Sequence, residues 1–289
     1  MKLKKMAAAA LVMAMLLTVL VLPASAKSEE DDVNVKRYVD LKYGDGKGAA
    51  HKYDLYVPES AFTQNNVPLI LYIHGGGFNE GDKSDEDNAT FYQPYLDRGY
   101  VVANVNYTLV NEENPGHGIQ DINQELFTAM KSIARKLGKM GLDCNQMATL
   151  GYSAGGCLAM MYAYVYAKDS PIPVKFVVQG SGPADFSPSV WENQSELAKK
   201  VSNRGTPEDQ IAWASGGKID PKTASKKEIQ KMADEISPAA YVNANTVPTC
   251  MLYGEQDLLV PPAAKERLIK NLKRYGVKYD LISCPYAGH

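Results

Sequence analysis

The stretch Met147-Ala148-Thr149-Leu150-Gly151-Tyr152-Ser153-Ala154-Gly155 decides how the rest of the chain is read. An apolar run, Met147 to Leu150, enters a G-x-S-x-G pentapeptide, and an apolar helical pattern from Leu158 through Ala167 leaves it. Strand, sharp turn and helix is the setting in which such a pentapeptide presents its serine at the tip of an elbow. Small residues on both sides of Ser153 let the backbone fold tightly enough to push the hydroxyl out in a strained conformation. An ordinary serine in a glycine-rich turn is the competing reading, and the pentapeptide alone does not separate the two. The outcome turns on whether the chain also supplies a base, an acid and an oxyanion site.

Upstream of the elbow, Val33 to Tyr43 alternates apolar and polar residues like an edge strand, closed by Gly44-Asp45-Gly46. Lys52 to Val57 predicts a second strand, ended by Pro58. Val67 to Ile73 is a continuous apolar run, as in a strand buried on both faces, and delivers the chain to His74-Gly75-Gly76-Gly77-Phe78. A helix around Ala89 to Arg98 and a buried strand from Tyr100 to Val105 follow. After the polar loop Asn111 to Gly118, Ile119 to Lys139 has helical spacing through Ile122, Leu126, Ala129, Ile133 and Leu137.

Downstream, Val174 to Gln179 predicts the strand after the elbow helix. Ser181 to Asn245 is polar, rich in Lys and Glu and helical in parts; it is either surface decoration or a lid and substrate wall. Alternation resumes with a strand from Thr249 to Tyr253, a helix from Pro262 to Tyr275 and a strand from Lys278 to Cys284. Repeated strand–helix units predict an α/β fold, with a mostly parallel sheet covered by helices on both faces. The expectation is one domain from residue 27 to 289 carrying a helical insertion.

The chain has 289 residues, 45% of them apolar, and a formal charge of −2 with both signs mixed along it. That composition supports a substantial core and excludes a basic surface for nucleic acid or a polybasic membrane segment. The N-terminus has the form of a signal peptide: Lys2, Lys4 and Lys5, an apolar stretch from Met6 to Leu22, then Pro23-Ala24-Ser25-Ala26. Cleavage after Ala26 predicts an exported protein without stable membrane association; an uncleaved anchor is the alternative. Export permits disulfides, but Cys144, Cys157, Cys250 and Cys284 sit in patterns that suit buried or half-buried thiols. No Cys/His spacing suggests a metal site.

A serine needs a base to activate it, and the base needs an acid to fix its tautomer. Elimination among four histidines is informative. His51 precedes an early strand and is expected at the surface, His74 belongs to the glycine loop, and His117 lies in an Asn-Pro-Gly-His-Gly turn. His289, after the last strand, lies downstream of the best acid candidate, Asp257. Tyr253-Gly254-Glu255-Gln256-Asp257 leaves a strand end, and the Val-Pro that follows favours Asp257 over Glu255. Oxyanion donors are expected from the N–H groups of Ala154, Gly76 and Gly77, with Gly75 as a turn former.

Ser153, Asp257 and His289 occur in the chain order of the α/β-hydrolases, which this sequence resembles. His74 to Phe78, Gly151 to Gly156, Tyr253 to Pro261 and Gly288-His289 are similar to the esterase/lipase branch with an HGGG loop, as is Ser237-Pro238 with Tyr241. The resemblance runs from about Val33 to the C-terminus. Hormone-sensitive-lipase-like members usually carry a helical N-terminal cap, for which Lys27 to His74 leaves little room. The chain therefore resembles more closely the bimodular feruloyl-esterase-like (BD-FAE-like) acetyl and feruloyl carboxylesterases. In that branch a helix normally follows the catalytic histidine, whereas this sequence stops at His289, which suggests a fragment or a weakly active form.

The resemblance implies a serine carboxylesterase cleaving small-molecule or carbohydrate esters, with no metal or organic cofactor, and the N-terminal signal predicts that it is secreted. A prolyl-oligopeptidase-type serine peptidase shares the fold and residue order but usually has a large extra domain. A hydrolase-fold binding protein that has lost activity is the non-enzymatic alternative.

Overall fold

The computed structural model of the protein describes residues 34–192 and 205–289. The predicted signal peptide and part of the predicted insertion lie outside them. Eight strands form one sheet in the order β1-β2-β4-β3-β5-β6-β7-β8. They are β1 (Val35–Lys42), β2 (Lys52–Pro58), β3 (Pro68–Ile73), β4 (Val101–Val105), β5 (Gln146–Tyr152), β6 (Val174–Gly180), β7 (Thr249–Gly254) and β8 (Tyr279–Cys284). β2 runs antiparallel to its neighbours β1 and β4, and every other pairing is parallel. β1 is not the straight edge strand that its alternation predicts. Its register shifts between Tyr38 and Leu41, and Asp40 turns to φ 54°, the signature of a bulge.

Among the described residues the longer helices are α1 (Ala89–Leu96), α2 (Ile119–Lys139), α3 (Ala154–Tyr166), α4 (Pro207–Ala214), α5 (Lys226–Ile236) and α6 (Glu266–Arg274). Side chains alternate across each strand, and β3 shows what each face meets. Tyr72 packs against Phe91 and Tyr92 of α1, with ring centroids 6.0 and 5.3 Å away. Leu69, Leu71 and Ile73 join the core formed with α2 and α3. The α2 stripe predicted from its spacing is the buried one, from Ile119 through Leu137. Cys157 and Cys250 are buried, Cys144 and Cys284 half-buried, and all four are free thiols. Burial pushes the Cys144 thiol up to about 12 and that of Cys250 up to about 11, which makes both poor nucleophiles.

From β3 the chain steps out to β4 and returns to β5 on the other side, then continues outward through β6, β7 and β8. Ligands bind in such sheets beyond the carboxyl ends of the strands where the order reverses. Register brings the loops after β3, β5, β7 and β8 to that edge: Ile73 pairs with Gly151, Tyr152 with Gly180, and Gly254 with Cys284. Among the described residues no helix is long and apolar enough to cross a membrane.

Candidate active site

Ser153 joins β5 to α3 at φ 56° and ψ −126°. A non-glycine residue there is strained by about 1–3 kcal/mol and persists only where its surroundings impose it. They do so through hydrogen bonds and close contacts. Ser153 N–H donates to the Gly180 carbonyl at 2.8 Å, and its own carbonyl accepts from Cys157 N–H at 3.1 Å. A Cβ at Gly151 would lie 2.2 Å from the Gly155 carbonyl oxygen, and one at Gly155 would lie 2.0 Å from that of Ile73. Glycine at both positions lets α3 start directly on the end of β3. Ala154 opens that helix, so its N–H belongs to the first turn, where no partner exists within the helix and the dipole favours negative charge.

The structure brings His289 and Asp257 to this serine. His289 Nδ1 lies 2.8 Å from Asp257 Oδ2, and its Nε2 lies 2.8 Å from Ser153 Oγ. An ionised carboxylate only accepts, so Nδ1–H donates to Asp257 and Nε2 is left to accept from the serine hydroxyl. The Asp257 side chain is 1% exposed, and its other oxygen accepts from Leu259 and Val260 N–H, both at 2.9 Å. Burial alone would raise this carboxyl. The hydrogen bond and charge of His289, with the two N–H groups, outweigh it and hold the carboxyl below its ordinary value. Glu255, the sequence rival, turns away to Lys265 at 3.1 Å and to the Ser283 hydroxyl.

The glycine loop abuts the elbow. Gly76, Gly77 and Phe78 all have left-handed φ, at 100°, 56° and 69°. A Cβ at Gly76 would lie 2.1 Å from the Glu80 carbonyl oxygen. Gly75 is not the turn former the sequence suggests, because the turn begins at Gly76, whose carbonyl accepts from Asn79 and Glu80 N–H at 3.1 and 3.0 Å. Gly75 is a point of close approach: a Cβ there would stand 3.0 Å from the Tyr152 carbonyl oxygen and 3.5 Å from Ser153 Cβ. His74 is buried and stacks on Tyr107 at 4.4 Å. Its Nδ1 donates to the Gly75 carbonyl at 2.8 Å, and burial, outweighing that bond, lowers the affinity of the imidazole for a proton.

Two features of the site escaped the sequence. The buried Lys83 ammonium lies 2.9 Å from Asp54 and 2.8 Å from Asp40, tying the chain just past the glycine loop to β1 and β2. Partners so far apart in sequence leave no local signal. The second is Tyr152, the first variable position of the pentapeptide, whose ring lies 5.4 Å from the imidazole of His289. His51 corrects an expectation: it is half-buried, stacked on Tyr43, and donates from Nε2 to Glu125 at 2.8 Å. His117 lies 3.4 Å from the same carboxylate.

Several known proteins share parts of this chain. Non-reducing polyketide synthase Preu6 of Preussia isomera is 25% identical over 298 residues, spanning 86% of this chain and 13% of that protein. Esterase LipI of Mycobacterium tuberculosis is 32% identical over 127 residues, 44% of this chain and 38% of that protein. The chain thus spans well under half the length of these curated relatives. A solved structure described as a truncated form of carbohydrate esterase from gut microbiota superposes with a TM-score of 0.70 at 21% identity. That match covers 91% of this chain and 92% of the other, and shows that the fold is that of the α/β-hydrolases. The family model BD-FAE matches residues 53–272, a span that holds the glycine loop, the elbow and Asp257, and the chain belongs to the BD-FAE family.

Proposed function

We propose that the protein is a secreted serine carboxylesterase that hydrolyses short-chain acyl esters, including acetyl and feruloyl groups carried on carbohydrate. The observation that carries this reading is the unbroken relay from Asp257 through His289 to Ser153, with both contacts at 2.8 Å. Ser153 Oγ attacks the ester carbonyl while His289 Nε2 takes its proton. The N–H groups of Gly76, Gly77 and Ala154 hold the oxyanion, and such donors contribute about 3–4 kcal/mol each to a transition state. Collapse breaks the ester C–O bond, and the imidazolium returns its proton to the departing alcohol. Water then attacks the acyl-enzyme with His289 again as base, releasing the acid and restoring Ser153. Asp257, held ionised by its partners, stabilises the imidazolium in both steps.

The substrate class draws support from BD-FAE membership and from the fold shared with a carbohydrate esterase. Secretion draws its support from the sequence of residues 1–26. Hydrolysis of p-nitrophenyl acetate tests the chemistry: Ser153→Ala is expected to lower kcat by at least about 10⁴-fold. Activity unaffected by that change would sink the proposal. Comparison of acetylated xylan, feruloylated arabinoxylan and simple butyrate esters ranks the substrates, and N-terminal sequencing of exported protein should begin at Lys27.

A further inference from the structure

Two hydrogen bonds grip His289 at opposite ends of its ring, Nδ1 to Asp257 and Nε2 to Ser153. They fix the line joining the two nitrogens but not the roll of the ring about that line. The loop is fastened at Ala287, whose carbonyl accepts from Gln256 N–H at 3.0 Å, and then passes through Gly288 to the histidine. What meets the imidazole from the side is the Tyr152 ring, 5.4 Å away and tilted by 54°. Pairs of this separation and tilt attract beyond simple area burial.

The Tyr152 ring is itself wedged. On one side it stacks on Phe91 of α1 at 5.1 Å and 25°. On the other it lies over Gly180, where a Cβ would stand 2.6 Å from the ring carbon Cδ2. Gly180 belongs to β6, pairs directly with Tyr152 and does not have left-handed φ. Its lack of a side chain therefore makes room for the ring and serves no turn. Burial, the main influence, raises the Tyr152 phenol above its ordinary value, so the ring stays neutral at physiological pH.

On the reading that His289 is the base for Ser153, we infer that Tyr152 is a positioning residue: its ring, wedged between Phe91 and Gly180, sets the roll of the His289 imidazole that the two hydrogen bonds leave free. The aromatic face does this, and the hydroxyl does not.

The test compares Tyr152→Leu, Tyr152→Phe and Gly180→Ala in the full chain. Tyr152→Leu should lower kcat for p-nitrophenyl acetate about tenfold with KM within about twofold, because misplacing a base slows chemistry more than binding. Tyr152→Phe should restore kcat to within about twofold of wild type. Gly180→Ala, which displaces the ring without removing it, should track Tyr152→Leu, and covers the case in which the leucine variant fails to fold. A readout without substrate is the low-field proton resonance of His289 Nδ1–H bonded to Asp257. It should broaden in Tyr152→Leu and Gly180→Ala and persist in Tyr152→Phe. Wild-type kcat and resonance in Tyr152→Leu would overturn the inference, as would a Tyr152→Phe as impaired as the leucine variant. Hydrolysis that survives Ser153→Ala would instead overturn the esterase reading, and the resonance arm would still decide the role of Tyr152.

Discussion

At Ser153 the backbone is wedged against main-chain neighbours on both sides; at Gly288, one residue before His289, a side chain would find room. The elbow residue is bonded on both sides, to Gly180 and Cys157, and a methyl group added at Gly151 or Gly155 would collide with main-chain atoms. The histidine arrives on a short loop after an edge strand, and a Cβ at Gly288 would meet nothing nearer than the Gln256 carbonyl at 3.7 Å. Yet the two side chains meet at 2.8 Å. The nucleophile is placed by backbone sterics and the base by its side-chain partners. Damage to the partners of the base should therefore cost activity more than stability, and damage to the glycines of the elbow stability first.

The largest effect is expected from Asp257→Asn. It keeps the shape but offers an amide N–H where Nδ1–H needs an acceptor, which favours the wrong tautomer and lowers kcat by about 10⁴-fold. The accompanying loss of stability should depend on pH. The folded-state carboxyl lies below its unfolded value of 3.8. Its stabilisation is thus complete above that pH and fades as pH falls further, through the folded value. Melting curves of both proteins should differ most at neutral pH and converge below about pH 3.8. A gap that widened with acid would contradict a carboxylate held ionised by its partners.

Gly155→Ala attacks the other region. A Cβ 2.0 Å from the Ile73 carbonyl oxygen forces α3 off the end of β3, with an expected loss of about 3 kcal/mol or more in urea unfolding. A loss under about 1 kcal/mol would show that the elbow can yield, and the contrast with the histidine loop would weaken. Ser153→Gly probes the same strain from the opposite side. Glycine takes φ 56° without penalty, so the variant should be inactive yet more stable by about 1 kcal/mol, after the flexibility it adds to the unfolded chain.

The same division explains what could be read from the sequence. Backbone-imposed features have local signatures. Two glycines around Ser153 announce a tight turn, and Val67 to Ile73 announces a strand buried on both faces. The strained φ at Ser153 and the strand-end placement of Asp257 and His289 follow from such patterns. Side-chain partnerships leave no such trace. Lys83 reaches Asp54 across 29 positions of chain, and His51 reaches Glu125 across 74. His51 is expected at the surface because nothing around it in sequence hints at the distant, half-buried carboxylate of Glu125. The Asp40 bulge is equally hidden, since the alternation of β1 continues through it. Gly75 reads in sequence as a turn former, because close approach and a turn call for the same residue.

Gly288→Ala should have the smallest effect and draws the boundary between the two regions most finely. Gly288 does not have left-handed φ, so alanine adopts its conformation without strain. The new methyl group would sit at ordinary contact distance, 3.7 Å from the Gln256 carbonyl oxygen. Alanine also narrows the unfolded ensemble, which at a compatible position stabilises by about 0.4–1 kcal/mol. The expected outcome is a stability equal to wild type or higher by about 0.5 kcal/mol, with kcat within about twofold in either direction. If side-chain partners place the base, stiffening the backbone one residue before it changes little. A hundredfold loss of kcat with stability intact would mean that the loop backbone, and not Asp257 and Tyr152, sets the imidazole, and that serine and histidine are held by the same means.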